Sequence, residues 1–479
     1  MGQVAALPSR SMRHLLSRFS YGVTPALVRQ AVAGGGELAW FERQLTPGRV
    51  PDAAASVMRA WYPQLDYEAG DRYDAQDTER SSWEQMMDLG RWTALRRTFS
   101  KRQLHEVMVE FWSNLLHVPL TDDKSWPHRA DYDAMIRARA LGTYADLLVA
   151  ATTHPAMGCY LDNAVSTKSN VNENLGRELL ELHSVGVDAG YTEAMVRDSA
   201  RILTGYRVDM WDSWTPFYAT VDHATGPVSV LGFADANESR DGRAVTERYL
   251  RYLAAHPATA RRLARRLAVH FVSDNPSDAL VGAVARAYTT SGTSIRATLR
   301  ALVAHPDFAA SVGAKVRTPG QDAIASYRAL GLSVQPPTDG NNFGYAVIYQ
   351  LGDMDQMPFG WPAPNGFPDV GAAWSSVGRV LASLNLHRTI AHGWWPSTGV
   401  TFRPWTDWLP ALPATLGEVV DSASTKLLCR PADAATTTAC CQLIGMDPSR
   451  VVSSANDLGA WRLNPILQTL LNSPAHAAR

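Results

Sequence analysis

The sequence has little net charge and lacks any long apolar run. Its 479 residues carry 45 Lys and Arg against 46 Asp and Glu, which leaves a formal net charge of -1. Because acidic and basic residues nearly balance, the chain is not expected to present the basic surface of nucleic-acid-binding proteins. No uninterrupted apolar segment reaches the roughly 18 residues of a membrane-spanning helix. We therefore expect no nucleic-acid partner and no membrane span.

The sequence contains too few cysteines to stabilise a chain of this length through disulfide bonds. The four cysteines are Cys159, Cys429, Cys440 and Cys441. The adjacent pair has no matching Cys-x-x-Cys, so buried or incidental thiols are a better interpretation than a zinc site. The first thirty residues also lack the continuous apolar segment of a secretory signal, because Ser and Arg interrupt it. The default expectation is a cytoplasmic protein.

Several common catalytic signatures are missing as well. The sequence contains no GxGxxG after a strand, no Walker loop, no GxSxG elbow and no HExxH. It therefore predicts no dinucleotide or nucleotide-phosphate motif. A functional site has to be sought in less regular groups of polar residues.

What the sequence does contain is helical periodicity. Apolar residues recur three or four positions apart in Arg102–Val118, Ile136–His154, Tyr191–Tyr206, Ala258–Ser273 and Thr293–Phe308. Thr192 and Ser294 stand where helix N-caps are expected, and Gly205 where a helix would stop. The fold class predicted is mostly α, with one large helical domain.

Two regions depart from this pattern. Residues 207–233 alternate aromatic and polar residues, which predicts a short β-hairpin. From about residue 336 to 407, Pro, Gly and Trp crowd together, and PFGWPAPNGFPD (Pro358–Asp369) has four prolines in twelve residues. The predicted organisation is a helical core over 1–335 with the hairpin, a Pro/Gly/Trp-rich region over 336–407 that is an ordered loop or a flexible cover, and a helical segment over 408–479 that packs on the core.

The segment NENLGRELLELHSVG (Asn172–Gly186) concentrates charge among leucines. On a helix that turns about 100° per residue, Glu178 flanks a leucine stripe and Glu181 lies about 60° further on the same side. His183 falls about 140° from Glu178, too far for both to hold one ion. The two carboxylates can converge.

This segment has two interpretations. Glu173, Arg177 and Glu181 are spaced as an ion-pair ladder that would simply brace a helix. Alternatively, Glu178 is partly buried and must be paired, protonated or bound to metal. Carboxylates three residues apart occur in dinuclear metal sites of helical bundles, although the usual Glu-x-x-His partner is absent from this helix.

Two further groups of residues join this candidate site. Glu106, Glu110, Ser113 and His117 share one face of the helix at 102–118, as half of a metal site or as a solvated helix face. Asp222 and His223 end a predicted strand, and a neutral His223 with Glu178 would form an acid/base pair. The candidate catalytic and metal-binding residues, with a divalent metal ion as the possible cofactor, are Glu178, Glu181, His223 and Arg177 for catalysis, and Glu178, Glu181, Glu110, His117 and His223 for metal.

Several segments together resemble a known family. They are HLLSRFSYGVTP, EFWSNLLHV, YLDNAVS, NENLGRELLELHSVGV, GYTEAMVRDSARILTGY, KVRTP, PFGWPAPNGFPD and SPAHAAR. They run nearly from end to end, and the chain resembles the bacterial family known as domain of unknown function 1800.

This resemblance implies a largely helical protein without an established activity. Many members look exported, and their genes often lie beside those of a second family that resembles sulfatases and alkaline phosphatases. Relatives often carry His-Asn-His after Phe-Trp, where this chain has Ser113, Asn114 and Leu115. That departure weakens a metal site on this helix unless His117 replaces the lost histidines.

Two function classes remain open. The first is an enzyme with a carboxylate/histidine site of redox or hydrolytic chemistry, covered by the loop around Trp361 and acting on an unknown small molecule or polymer. The second is a non-catalytic binding or assembly partner of a co-encoded protein, such as the sulfatase/phosphatase-like one, with the charged helices as scaffold. A stoichiometric metal in the purified protein would favour the first.

Overall fold

Helices form most of the computed structural model, which describes residues 7–479. The α-helices of this part are α1 (Arg10–Arg18), α2 (Pro25–Ala33), α3 (Glu37–Gln44), α4 (Ala53–Val57), α5 (Ala69–Thr78), α6 (Ser82–Phe99), α7 (Gln103–Leu115), α8 (Trp126–Arg139), α9 (Tyr144–Thr152), α10 (Pro155–Tyr160), α11 (Asn174–Glu178), α12 (Glu193–Leu203), α13 (Arg243–Ala255), α14 (Pro257–Phe271), α15 (Asp278–Thr290), α16 (Ile295–Ala304), α17 (Pro306–Ala310), α18 (Pro319–Leu330), α19 (Phe343–Asp353), α20 (Val377–Ala391), α21 (Leu416–Leu428), α22 (Ala434–Leu443), α23 (Gly459–Leu471) and α24 (Pro474–Ala477).

The strands are short and form four antiparallel pairs in the described residues. They are β1 (Tyr206–Val208) with β2 (Pro216–Tyr218), β3 (Val228–Val230) with β4 (Phe233–Asp235), β5 (Ser333–Val334) with β6 (Val400–Thr401), and β7 (Ala414–Thr415) with β8 (Val451–Val452). The mostly α prediction is confirmed. Where one hairpin was predicted, two successive ones occur, because the turn at residues 231–232 closes a second pair.

The helix ends follow the local chemistry of the sequence. The Thr192 side chain accepts a hydrogen bond from Met195 N at the start of α12, and Ser294 does the same for α16. Gly205 follows the end of α12 with a φ of 98°, in the left-handed region that glycine tolerates. These caps are confirmed as predicted.

Only part of the Pro/Gly/Trp-rich region is a loop, because it also contains α19 and α20. Its proline-rich centre is held by residues at and just after the end of α7. The Asn114 side chain donates to Phe367 O at 2.8 Å and accepts from Phe367 N at 2.6 Å, which imitates a strand pair. His117 Nε2 donates to Trp361 O at 2.7 Å, and Leu120 N donates to Phe359 O at 2.9 Å. These hydrogen bonds order the loop.

Gly366 marks the tightest point of this contact. Its φ is 67°, and a Cβ added there would lie 2.1 Å from Asn114 O. We expect Gly366→Ala to lower the free energy of unfolding by about 1–3 kcal/mol, because the loop must move away from α7. Chemical denaturation measures this, with Gly340→Ala as the control, since nothing lies within 4 Å of a Cβ at Gly340. Equal stability of the two variants would contradict the tight contact.

The interior combines one large apolar cluster with buried charge. Side chains from α1 through α23 join in a single cluster of buried residues, and all four cysteines are buried free thiols. Within the core, Glu106 is 1% exposed and accepts from Arg96 at 2.7 Å and from Arg137 at 2.6 Å. A buried carboxylate persists only when paired in this way.

The two ends of the described chain meet in this core. Arg317 N donates to Ala477 O at 3.0 Å, and Arg479 N donates to Lys315 O at 2.8 Å, so residues 477–479 run antiparallel to 315–317. The Arg479 guanidinium donates to Arg18 O at 2.8 Å, across 461 residues of sequence. This pairing positions α24 against α18. Among residues 7–479, no helix combines the length and apolar character needed to cross a membrane.

Candidate metal centre

Three helices bring a carboxylate and two imidazoles together. Asp322 lies in the first turn of α18, His387 near the end of α20, and His476 in α24. All three are buried, with 4%, 2% and 3% of their surface exposed. One ligand atom from each lies within 4.8 Å of the others, and this is the one such group of acidic, His or Cys side chains found in the described chain.

The Asp322 carboxylate is held from one side, which leaves its other oxygen facing the histidines. Oδ2 accepts hydrogen bonds from Ser383 Oγ at 2.5 Å and Arg379 Nη2 at 3.5 Å. Oδ1 lies 3.3 Å from Nε2 of both His387 and His476. Arg379, Ser383 and His387 are four residues apart, so they form one polar stripe on the face of α20 that meets α18.

His387 presents an unpaired nitrogen to this carboxylate. Its Nδ1 lies 2.7 Å from Asn472 Oδ1, an amide oxygen that only accepts, so Nδ1 carries the proton. In the neutral ring Nε2 is then a lone pair, and this buried nitrogen has no hydrogen-bond partner of acceptable geometry. A lone pair aimed at a carboxylate oxygen 3.3 Å away is repulsive unless a proton or a cation lies between them.

His476 completes the triad. Its Nε2 is 2.9 Å from Ser326 Oγ, one turn along α18 from Asp322. Burial lowers the pKa of His476 to about 4, against the opposing effect of Asp322, so its ring is neutral at neutral pH. Burial by itself would raise the pKa of Asp322, but His387 and His476 hold that pKa well below its usual range. The triad therefore offers one carboxylate and two imidazole rings, of which that of His476 is neutral at neutral pH.

The spacing of these atoms fits a metal ion. Metal bonds of about 2.0–2.2 Å to oxygen and nitrogen place neighbouring ligand atoms about 3.0–3.5 Å apart in octahedral or tetrahedral geometry. The two separations of 3.3 Å from Asp322 Oδ1 fall in this range. Two histidines and one carboxylate suit zinc, iron and similar divalent ions rather than calcium or magnesium, which prefer oxygen.

A second polar cluster surrounds a small cavity beneath the proline-rich loop. The cavity measures about 40 Å³, room for an ion or a few waters rather than an organic substrate. Glu110 and His117, His270 of α14, Gln321 of α18 and Asp369 of the loop line it. The segments EFWSNLLHV, KVRTP and PFGWPAPNGFPD thus converge on one place.

The acidic side chains of this cavity are paired within the protein. His270 Nδ1 lies 2.5 Å from Asp369 Oδ2, and Lys315 Nζ donates to Asp369 O at 2.8 Å. Burial alone would raise the pKa of Asp369, but His270 and Lys315 lower it to about 2. Glu110 accepts from Arg97 at 3.0 Å and from the Tyr21 hydroxyl at 2.6 Å. Each acid already has a partner, so this cluster is less open to a metal than the triad.

Of the residues selected from the sequence, Glu110 and His117 are brought to this cavity. Burial lowers the pKa of His117 to about 4, and its Nε2 is engaged by Trp361 O. Through this hydrogen bond, His117 helps to hold the proline-rich loop in place. Its role as a metal ligand stays a prediction.

Glu178 and Glu181 lie together on a different part of the surface. Glu178 is half-buried, and burial together with Glu181 raises its pKa. Arg177 pairs with Glu193 at 2.6 Å, Glu173 at 3.5 Å and Glu181 at 3.8 Å, which supports the bracing interpretation. Neither Glu178 nor Glu181 lines the cavity, and their role in chemistry stays a prediction.

The backbone geometry here differs from a regular helix. After Glu178 the chain forms a π-helical turn over Leu179–His183, so side chains no longer advance by the angle of an α-helix. His183 is fully buried, and neither of its ring nitrogens has a hydrogen-bond partner. Burial lowers the pKa of His183 to about 3, with Arg262 and His117 contributing. The predicted angle between Glu178 and His183 does not apply.

His223 belongs to neither cluster. Its Nδ1 lies 3.0 Å from Thr204 O and its Nε2 lies 2.9 Å from Asn237 Oδ1. With both nitrogens engaged, the structure gives His223 a bracing role between β-hairpins and α12. The proposed acid/base pair with Glu178 is not supported by any contact between them.

The sequence analysis missed the triad itself. SPAHAAR contains His476 and KVRTP precedes Asp322, but neither segment suggested a ligand, because the three residues are far apart along the chain. The available signal was the spacing of Arg379, Ser383 and His387, which puts three polar side chains on one face of a helix.

Comparison with known proteins gives one result. A family model described as "Protein of unknown function (DUF1800)" matches residues 14–478. No curated protein and no solved structure matches the chain.

Proposed function

The chain belongs to the DUF1800 family, and from that premise we propose that it is a metal-dependent enzyme whose ion is held by Asp322, His387 and His476. The class of chemistry that suits this centre is redox or hydrolytic. One observation carries the proposal: three buried ligand atoms from three helices lie within 4.8 Å of one another, and two of their separations are 3.3 Å.

The surroundings of the triad support a metal rather than a hydrogen-bonded cluster. The Nδ1 proton of His387 is directed at Asn472, so in the neutral ring the Nε2 lone pair faces the Asp322 carboxylate 3.3 Å away. A divalent cation would satisfy the unpaired His387 Nε2 and the Asp322 oxygen together. Metal-binding histidines commonly donate their other N–H to an oxygen in this way.

Three protein ligands are the number found in catalytic sites, where further positions take water or substrate. The bound ion would act as a Lewis acid or a redox centre. Ser383 and Arg379 would orient the carboxylate, and Asn472 would fix the tautomer of His387. His476 borders a larger pocket, which provides a side from which a substrate can approach.

Metal analysis of the purified protein tests this proposal. We expect about one transition-metal ion per chain, and a Co(II)-substituted form whose visible spectrum changes when azide is added. The azide response separates an open catalytic position from a closed structural site. Two results would refute the enzymatic proposal: a chain that cannot be loaded with one ion, or a Co(II) form whose visible spectrum does not change when azide is added.

Asn472 provides a more selective test of the geometry. We expect Asn472→Ala to weaken metal affinity by about 10–100-fold, because His387 loses the contact that fixes its tautomer and ring orientation. A competition titration with a metal-binding dye measures the affinity. Asn275→Ala is the matched control, since Asn275 is exposed and its side chain makes no hydrogen bond among the described residues. Unchanged affinity in Asn472→Ala would exclude this role.

The alternative function, a non-catalytic binding or assembly protein, is favoured by one observation. The outer face of α20 exposes Val377, Val380, Leu381 and Leu384, spaced as one helical stripe. Exposed apolar patches often mark contact surfaces. Under this alternative the purified protein would contain no stoichiometric metal, so the same metal analysis separates the two functions.

A further inference from the structure

A strongly cationic pocket has His476 in its wall. It measures about 300 Å³ and opens between α1, α18 and α24. Five arginines contribute to its wall: Arg10, Arg13, Arg317, Arg430 and Arg479. No Asp or Glu side chain of the described residues lines this wall. The volume is that of a small-molecule site rather than a water cavity.

Acidic side chains offset the charge of the two buried arginines only at a distance, Asp322 for Arg317 and Asp369 with Glu110 for Arg479. Among residues 7–479, none of the five forms a direct ion pair with an acidic side chain. Arg317 and Arg479 are buried, and their guanidinium groups donate to the backbone oxygens of Ala478 and Arg18. The Arg479 Nε is buried without any hydrogen-bond partner. Buried charge without a direct acidic partner is costly unless a ligand pairs with it.

The arginines also repel one another. Burial and the charge of Arg479 lower the pKa of Arg317 to about 10, against the opposing effect of Asp322. Burial and the neighbouring Arg430 lower the pKa of Arg13. Such mutual repulsion persists in a folded protein where an anion relieves it, and guanidinium groups match oxyanions with paired hydrogen bonds.

We infer that this pocket binds a tetrahedral oxyanion, a phosphate or sulfate group carried on a small molecule. The assignment rests on the proposed function in one respect: the anionic group would be the handle that holds a substrate next to the metal ligand His476. The binding of the anion itself depends only on the arginines. The two parts can therefore fail separately.

Calorimetric titration of metal-free protein tests the pocket. The probes are pyrophosphate, phosphate, sulfate and citrate, used separately after chelator treatment and dialysis. We expect pyrophosphate, phosphate or sulfate to bind with a dissociation constant below about 1 mM and the affinity to fall with added salt. The ranking of phosphate and sulfate identifies the source of the oxyanion. Tighter binding of citrate, or no binding of any probe, would overturn the inference.

Arg13→Gln and Arg430→Gln locate the site. Neither guanidinium makes a hydrogen bond within the described chain and both are partly exposed, so each variant is expected to fold. We expect each to weaken oxyanion binding about tenfold or more, while Arg286→Gln, which removes an exposed arginine elsewhere, leaves it unchanged. Equal affinity of all three variants would place the anion outside this pocket. Binding that persists in His387→Ala, with metal lost, would separate the pocket from the metal centre.

Discussion

His387→Ala and His476→Ala are each expected to abolish stoichiometric metal binding, with affinity reduced by at least about 100-fold. Removing a ligand costs more than removing its orienting partner, for which about 10–100-fold is typical. The remaining carboxylate and single imidazole cannot enclose an ion. Elemental analysis after equilibration with one equivalent of metal measures the loss, and circular dichroism establishes that each variant is folded.

Two comparison variants make this result specific. His392→Ala removes a histidine at the end of the same helix as His387 and is expected to keep the metal, because His392 lies outside the triad. Glu178→Ala tests the location predicted from the sequence. If Glu178→Ala lost the metal while His387→Ala kept it, the metal would bind at the Glu178 helix and the proposal for the triad would be wrong.

Glu106→Gln is expected to lower the free energy of unfolding by about 3–5 kcal/mol. The change removes the charge that Arg96 and Arg137 share, and these guanidinium groups are only 9% and 11% exposed. Chemical denaturation measures the loss. Glu42→Gln is the matched control, because Glu42 forms its ion pair with Arg300 on the surface, where both side chains are 49% exposed. The control is expected to lose less than about 1 kcal/mol.

The same pair of variants predicts a pH dependence. Burial alone would raise the pKa of Glu106, but Arg137, His105 and Arg96 hold it well below its usual range. A depressed pKa in the folded state stabilises the protein above the unfolded pKa, and this stabilisation is lost as the pH falls toward the folded pKa. The difference between wild type and Glu106→Gln should therefore be largest near pH 7 and shrink below about pH 4. A difference that does not vary with pH would contradict the ion-pair explanation.

Local sequence was sufficient for much of the helical framework. The periodicity of residues 102–118 and the caps at Thr192 and Ser294 depend on neighbours within one or two turns, and the structure has them as expected. The Pro/Gly/Trp-rich region was harder, because α19 and α20 lie on either side of the proline-rich loop. Their positions depend on packing against α6 and α18, which no local pattern encodes.

The site could be predicted less well for a similar reason. Regular helical geometry predicted that Glu178 and His183 lie on opposite sides of the leucine stripe. The π-helical turn over Leu179–His183 changes the directions of these side chains. The triad depends on where α18, α20 and α24 meet, and that meeting is set by tertiary contacts. A single histidine in SPAHAAR or one aspartate after KVRTP carries no ligand signal in isolation.

The antiparallel pairing of residues 477–479 with 315–317 has a consequence for biosynthesis. During translation, Asp322 and His387 leave the ribosome well before His476, so a nascent chain holds two of the three ligands and cannot enclose an ion. Contacts that span hundreds of residues also form late in folding, because loop closure must precede them. Metal loading would thus follow completion of the fold, and a truncated product would remain without its ion.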